Sequence, residues 1–243
     1  MSFQTERFYL LSRQHQPQFH PVVAFDPGTE LIGRIDLTTE NSEVSEAIYT
    51  DLDKFTNYIE QLQKKANAVF LIGGYNELRG MYSRSTLFNA GTNDNFQFAE
   101  PRRLHLGVDI WGKAGTEVYA PLGGVVHSFA FNNRVGDYGA TIILLHQLEG
   151  LAFHTLYGHL SMKDIEKLKE GDYIAIGHKL AHFGLPAENG QWPPHLHFQI
   201  IFDMQMQKGD YPGVCRNSEK NYYLTNCPDP DLILGMNKYL LKS

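Results

Sequence analysis

The sequence predicts an α+β fold with a mainly antiparallel β core, an N-terminal α/β elaboration and a C-terminal helix. Residues 125–131 alternate large apolar side chains with smaller or polar ones, and residues 141–146 form a run with several β-branched side chains. Both patterns are typical of strands in a sheet. Residues 44–66 instead repeat apolar side chains every three or four positions, which indicates an amphipathic helix.

The elements before the core mix strand and helix patterns. Residues 19–38 are predicted to be β-like, and the helix over 44–66 has Ser42 as its expected N-cap. Residues 69–72 predict a buried strand that leads into a Gly-Gly bend. The bend carries the polar segment from Tyr75 to Arg79, which we interpret either as a turn with a local ion pair or as part of a functional groove.

The tail of the chain, from about residue 202, is rich in proline, asparagine and tyrosine. Asp229-Pro230 resembles an N-cap followed by proline at the first helical position. It therefore predicts a C-terminal helix from about Asp231 to Leu241.

Composition and charge exclude several classes of function. The 243 residues have a formal net charge of −6, which argues against a nucleic-acid-binding surface. No apolar run reaches the ~18 residues that a membrane span requires. The first residues lack a basic segment followed by an apolar one, so we expect no signal peptide and a cytoplasmic protein. Cys215 and Cys227 are too few for a disulfide framework, and we expect reduced, structural thiols.

Two histidines two residues apart are the first candidate functional group. His195 and His197 lie in a short apolar segment that predicts a strand, and Pro193-Pro194 before them forces an extended entry. On a strand, residues i and i+2 point to the same face, about 7 Å apart. Two imidazoles in one space indicate a metal ligand beside an acid–base group. The alternative is that both lie on a half-exposed strand without a function.

His105 and Asp109 are the second candidate group. In a straight strand they would lie about 13 Å apart, which is too far to share one ion. Gly107 between them allows a bend or bulge that brings the imidazole and the carboxylate together. Histidine nitrogen and aspartate oxygen both suit zinc, and three protein ligands leave a coordination position for water.

A third group completes an ordered series of motifs. His159 lies in Tyr157-Gly158-His159-Leu160-Ser161, at the end of a run that alternates at Phe153, Thr155 and Tyr157. The order is His105-x-x-x-Asp109, then Gly115 to Pro121, then this segment, then His195-x-His197-Phe198. In this order the motifs resemble the M23 metallopeptidases, the lysostaphin- and LytM-like endopeptidases.

The resemblance covers roughly residues 101 to 200 and implies a β-sandwich core that holds one zinc ion. It implies that His105, Asp109 and His197 are the zinc ligands. It also implies that His195 and His159 handle protons and stabilise the developing oxyanion. We therefore expect an N-terminal elaboration over residues 1–100, an M23-like metallopeptidase core over 101–205 and a C-terminal extension over 206–243.

The chain departs from the family pattern near the predicted site. The turn before the His-x-His motif, Pro186 to Pro193, differs from the Gly- and Thr-rich turn that is usual in the family, and Gln199 replaces the usual acidic residue. These changes put the usual substrate in doubt. Further stretches, among them Gly139 to Leu144, resemble a cytoplasmic subgroup of the family that is fused to class III aminotransferases.

The resemblance implies a zinc-dependent hydrolase of a peptide or small amide. The net charge and the lack of a long apolar run predict no nucleic acid or membrane as partner. Gly- or D-Ala-containing, peptidoglycan-like peptides are the first candidate substrates. Hydrolysis of an amide or ester in a small metabolite and a non-catalytic, metal-retaining binding module are the alternatives. The sequence leaves the oligomeric state open.

Overall fold

One large, mostly antiparallel sheet organises the protein. A computed structural model describes residues 3–89 and 100–240. The strands are β1 (Leu31–Ile35), β2 (Ala68–Gly73), β3 (Leu104–His105), β4 (Val108–Trp111), β5 (Glu117–Tyr119), β6 (Gly124–Asn132), β7 (Gly139–Leu148), β8 (Leu151–Leu160), β9 (Tyr173–Ile174), β10 (Lys179–His182), β11 (His195–Ile201) and β12 (Val214–Cys215). The helices are α1 (Phe3–His15), α2 (Glu46–Tyr49), α3 (Leu52–Ala66), α4 (Lys220–Asn226) and α5 (Asp231–Leu234).

Eight of these strands form the large sheet, in the order β1-β2-β4-β11-β8-β7-β6-β9. The β1–β2 pair is parallel, and the other pairs in this sheet are antiparallel. The predicted α+β class with a mainly antiparallel core is confirmed.

A second β layer covers one face of the large sheet. Strands β5 and β10 form a separate two-stranded ladder. Val118 and Ala181 of this ladder belong to the same buried apolar cluster as Ile110, Tyr157 and Phe198 of the large sheet. The opposite face of the sheet is therefore the one that carries the polar side chains of β4 and β11.

The N-terminal segment extends this sheet and packs a helix against it. The predicted helix over 44–66 is two helices, α2 and α3, and Asp51 caps α3 by accepting a hydrogen bond from the Lys54 amide. The expectation of Ser42 as N-cap is therefore wrong. Phe55 of α3 is fully buried against Trp111 of β4, with 5.7 Å between the ring centroids.

The division into residues 1–100, 101–205 and 206–243 stays a prediction.

The C-terminal helix is shorter than predicted. Helix α5 begins at Asp231 as expected, and the Asp229 carboxylate accepts a hydrogen bond from its first amide. It ends at Gly235, whose φ of 57° is the left-handed conformation that commonly terminates helices. A 3-10 turn over Asn237–Tyr239 follows.

Within the described ranges, no helix combines the length and the apolarity that a membrane crossing requires.

Candidate metal centre and active site

Strand pairing brings Asp109 and His197 together. Strands β4 and β11 are antiparallel neighbours, and His197 lies directly opposite Asp109, while His195 lies opposite Trp111. Directly paired residues point to the same face of a sheet. The two histidines therefore share a face with Asp109, as the alternation in the sequence predicts.

His105 reaches the same place because the chain breaks between β3 and β4. His105 lies on β3, which pairs with β12 rather than with the large sheet. A Cβ atom at Gly107, in the break, would lie 2.4 Å from Cε1 of His197 and 2.8 Å from the Phe198 carbonyl oxygen. No residue other than glycine fits without displacing the imidazole. The predicted bend between His105 and Asp109 is present, and the close approach of His197 is what requires glycine there.

Three ligand atoms converge at the meeting point of these segments. Nε2 of His105 lies 3.0 Å from Nδ1 of His197 and 3.3 Å from Oδ1 of Asp109. The third distance, between His197 Nδ1 and Asp109 Oδ1, is 3.0 Å. Ligand atoms bound about 2.0–2.1 Å from a tetrahedral zinc ion lie about 3.3 Å apart. Within the described part of the chain, these three residues are the one group of three or more His, Cys, Asp or Glu side chains placed closely enough to hold a metal ion.

The outer atoms of the two imidazoles fix their tautomers. Nδ1 of His105 donates to the Gly74 carbonyl oxygen at 3.0 Å, and Nε2 of His197 donates to Oε1 of Gln199 at 2.9 Å. The Gln199 amide is itself oriented, because its nitrogen donates to the Pro212 carbonyl oxygen at 3.1 Å. A carbonyl oxygen only accepts, so the other nitrogen of each ring carries a lone pair. The two nitrogen lone pairs and one carboxylate oxygen then face the same point, and together they form a set of ligands suited to a cation.

The bend after β2 supports both the first imidazole and the carboxylate. Arg79, which is fully buried, donates to the second oxygen of Asp109, to Oε2 of Glu77 at 3.1 Å and to the Gly74 carbonyl oxygen at 3.1 Å. The Gly74 carbonyl oxygen thus accepts from both Arg79 and His105. The local ion pair that the sequence suggested is present, and it orients two of the candidate ligands.

Burial and charge set the protonation states of this cluster. Burial lowers the pKa of His105 to about 4, so the imidazole is neutral near pH 7. Burial alone would raise the pKa of Asp109, but the electrostatic influence of His105 and Arg79 holds it well below its usual range. The cluster therefore offers neutral imidazole and ionised carboxylate, the forms that bind metal.

His159 joins the site through an unusual backbone conformation. Tyr157, two residues earlier, belongs to the apolar cluster on the opposite face of the sheet. Strict alternation would place His159 on that face as well. His159 instead has a φ of 63°, which turns its ring to the face of the sheet that carries Asp109 and His195. The ring centroids of His159 and His195 are 4.1 Å apart. Such a left-handed conformation is uncommon outside glycine and marks positions where surrounding structure imposes it.

His195 and His159 each present one unprotonated ring nitrogen. Nδ1 of His195 donates to the Pro193 carbonyl oxygen, and Nδ1 of His159 donates to the Asn189 carbonyl oxygen, both at 2.8 Å. Nε2 of each neutral ring is therefore an acceptor. Burial lowers the pKa of His195 to about 4 and that of His159 well below its usual range. Both rings are neutral bases near pH 7, and each can donate from Nε2 only after it has taken a proton.

The site lies inside a pocket rather than along an open trough. None of His105, Asp109, His159, His195 and His197 is more than 6% exposed. The pocket has a volume of about 170 Å³. The Trp192 side chain, 2% exposed, forms part of its wall, and the Arg84 guanidinium lies 4.6 Å from the centre of the Trp192 ring. The segment from Tyr75 to Arg79 contacts the candidate ligands Asp109 and His105 through hydrogen bonds and does not line this pocket.

Sequence reasoning missed the supporting roles of two residues, Gln199 and Arg79. Gln199 is on the same face of β11 as His195 and His197, a position that the i, i+2, i+4 alternation already indicates. Its contact with His197 was therefore accessible from the strand pattern. Arg79 lies thirty residues before Asp109, and no local pattern predicts their contact.

The structure shows a candidate metal site, and sequence comparison names a family for the segment that carries it. Residues 103–209 match the model of peptidase family M23. The chain therefore carries an M23 peptidase domain, and the resemblance in the motifs is confirmed. No curated protein sequence gives a significant match.

Several solved structures are similar to the chain. A zinc-containing peptidase from Vibrio cholerae is 27% identical with a TM-score of 0.32, and the match covers 40% of this chain and 27% of that one. The catalytic domain of lysostaphin from Staphylococcus simulans is 21% identical with a TM-score of 0.38, covering 69% of this chain and 96% of that one. LytU is 25% identical with a TM-score of 0.34, covering 58% and 85%. The chain thus spans about a quarter of the Vibrio cholerae peptidase.

Proposed function

We propose that this protein is a zinc-dependent hydrolase of the M23 type that cleaves an amide bond in a peptide. The main observation that supports this proposal is that atoms of His105, Asp109 and His197 lie within 3.3 Å of one another. The neutral histidines His195 and His159 lie beside them. Gly- or D-Ala-containing peptides, including peptidoglycan-like ones, are the first candidate substrates. The M23 domain over residues 103–209 supports this choice.

His105, Asp109 and His197 would hold the ion through Nε2, Oδ1 and Nδ1. A bound zinc ion supplies Lewis-acid activation of water and of the substrate carbonyl group. The outer hydrogen bonds to Gly74, Gln199 and Arg79 hold these ligands in position, a contribution that typically amounts to ~10- to 100-fold in metal affinity.

His195 and His159 would move the protons of the reaction. Hydrolysis breaks the amide C–N bond, adds the hydroxyl group of water to the carbonyl carbon and delivers a proton to the leaving amine. Nε2 of His195 is free to take a proton from the attacking water and to pass it to that amine. Nε2 of His159 becomes a hydrogen-bond donor to the oxyanion once it is protonated. One such donor is typically worth ~3–4 kcal/mol in the transition state.

A second candidate function is hydrolysis of an amide or ester in a small metabolite. The small pocket volume of about 170 Å³ favours this function over cleavage of long substrates in an open groove. A non-catalytic binding module that retains the metal is the third. It is the less favoured one, because a pure metal site has no need for His195 and His159 with their free nitrogens.

The test is a screen of glycyl peptides, peptidoglycan fragments, small amides and small esters, with and without a chelator. We expect cleavage that the chelator abolishes and that added zinc restores. Tight binding of a ligand without turnover, at full zinc occupancy and neutral pH, would establish the binding module instead.

A further inference from the structure

About half of the residues that line the pocket at the candidate metal site lie outside the M23 domain. The pocket is lined by Tyr82, Leu87 and Phe88, which precede residues 103–209, and by Tyr211 and Val214, which follow them. Tyr82 and Phe88 are buried and pack on each other, with 4.9 Å between their ring centroids. The segments flanking the domain therefore cover the metal face of the sheet with an apolar wall.

This wall limits how a substrate can reach the metal. A long peptide that is cleaved internally must extend in both directions from the scissile bond. The candidate ligands and both further histidines are at most 6% exposed, so no open trough runs past them among the residues that the structure describes. Pockets for drug-sized ligands measure about 300–1,000 Å³. A pocket of about 170 Å³ holds only one or two residues of a peptide.

The pocket also carries unpaired charges of both signs. Arg134 and Asp210 line it and are exposed to solvent, while Arg102 and Asp137 line it and are half-buried. Within the part of the chain that the structure describes, no ion pair involves any of the four. Arg102 is held by the Leu87 carbonyl oxygen. The Asp210 carboxylate accepts a hydrogen bond from the Tyr211 backbone amide, which leaves it further acceptor positions for a ligand. Among the described residues no hydrogen-bond partner holds the Arg134 side chain, which lines the pocket.

We propose that the pocket takes short peptides by their free, charged ends and cleaves the bond next to an end, not a bond within a longer chain. Arg134 meets the terminal carboxylate, and Asp210 meets the terminal ammonium group. Guanidinium and carboxylate groups are the natural partners of these two ends. The proposal rests on the proposed hydrolase function and narrows its substrate class.

A length and end-blocking series tests it on the full chain loaded with zinc. The substrates are a dipeptide, a tripeptide and a pentapeptide of glycine and D-alanine, each with free ends, with an acetylated N-terminus or with an amidated C-terminus. We expect the free dipeptide or tripeptide to be cleaved best and the free pentapeptide to lose residues from its ends. Blocking one end removes a charged hydrogen bond and should lower kcat/KM by ~10- to 100-fold.

Two variants assign the ends. Arg134→Gln should lower kcat/KM about tenfold for the free peptide but leave the C-terminal amide unchanged, because that substrate has already lost the contact. Asp210→Asn should likewise lower kcat/KM about tenfold for the free peptide but leave kcat/KM for the N-terminally acetylated peptide unchanged. The matched controls are Arg13→Gln and Asp53→Asn, at exposed positions that do not line the pocket. They should leave kcat/KM unchanged for both the free and the blocked peptides.

The outcomes separate this inference from the proposed function. Chelator-sensitive cleavage of an internal bond in a pentapeptide blocked at both ends, as fast as cleavage of the free dipeptide, would overturn the inference and leave the hydrolase intact. Equal effects of Arg134→Gln on free and amidated peptides would overturn the assignment of the carboxylate. Absence of cleavage in every member of the series, at full zinc occupancy, would overturn both this inference and peptide hydrolysis.

Discussion

Replacing Arg79 by methionine tests the support that the metal cluster receives from the bend after β2. The Arg79 side chain is 0% exposed and forms ion pairs with Asp109 and with Glu77, which are 2% and 17% exposed. Methionine fills a similar volume but leaves both carboxylates without their cation. Removing one partner of a buried ion pair typically costs ~3–5 kcal/mol. We expect a loss of this size in the free energy of unfolding, measured by urea denaturation in the presence of a chelator.

Zinc should reduce that loss, because a bound cation gives Asp109 a second partner. The matched control is Lys208→Met, which removes an ion pair to Glu170 whose partners are 63% and 48% exposed. Exposed pairs contribute ~0–1 kcal/mol, so this variant should be nearly as stable as the parent. A loss below ~1 kcal/mol for Arg79→Met with chelator present would refute the reasoning, since the buried charges would then not depend on Arg79.

Further predictions concern the ligands, the proton carriers and pH. His105→Ala and Asp109→Ala should each abolish stoichiometric zinc binding, and undiminished one-to-one zinc in both would sink the ligand assignment. His195→Ala and His159→Ala should keep zinc while lowering kcat by ~100- to 10,000-fold, and loss of zinc from either would make it a ligand. Burial lowers the pKa of His146 from 6.5 to about 4, so the folded state stays neutral while the unfolded chain gains a proton. Stability then falls as the pH drops from 6.5 towards 4, and the parent should lose about 2 kcal/mol more than His146→Gln between pH 7 and pH 5; equal losses would contradict this.

The meeting of the candidate ligands could be predicted from short-range rules. Alternation along a strand places His195 and His197 on one face, and the structure keeps that arrangement in β11. Gly107 was a visible sign that the chain turns between His105 and Asp109. These features depend on a few neighbouring residues and on backbone geometry, so a sequence pattern can carry them.

The orientation of His159 and the enclosure of the site could not be predicted in this way. The left-handed φ of His159 is imposed by its surroundings, and nothing in the local sequence marks it. Tyr82 and Tyr211 meet at the pocket although they are far apart in the chain. Local propensity also overestimated the last helix, because Gly235 ends it after one turn. Contacts between distant segments decide the first two features, whereas the glycine that ends the helix is a local signal.

A zinc titration of the metal-free protein, followed by both bound zinc and peptide hydrolysis, tests the central claim most directly. The claim is that one ion held by His105, Asp109 and His197 makes this chain a hydrolase. We predict that hydrolysis rises from zero and saturates at one equivalent of zinc, and that Asp109→Ala shows neither binding nor hydrolysis over the same range. Hydrolysis by the metal-free protein, or an identical titration for Asp109→Ala, would contradict the account.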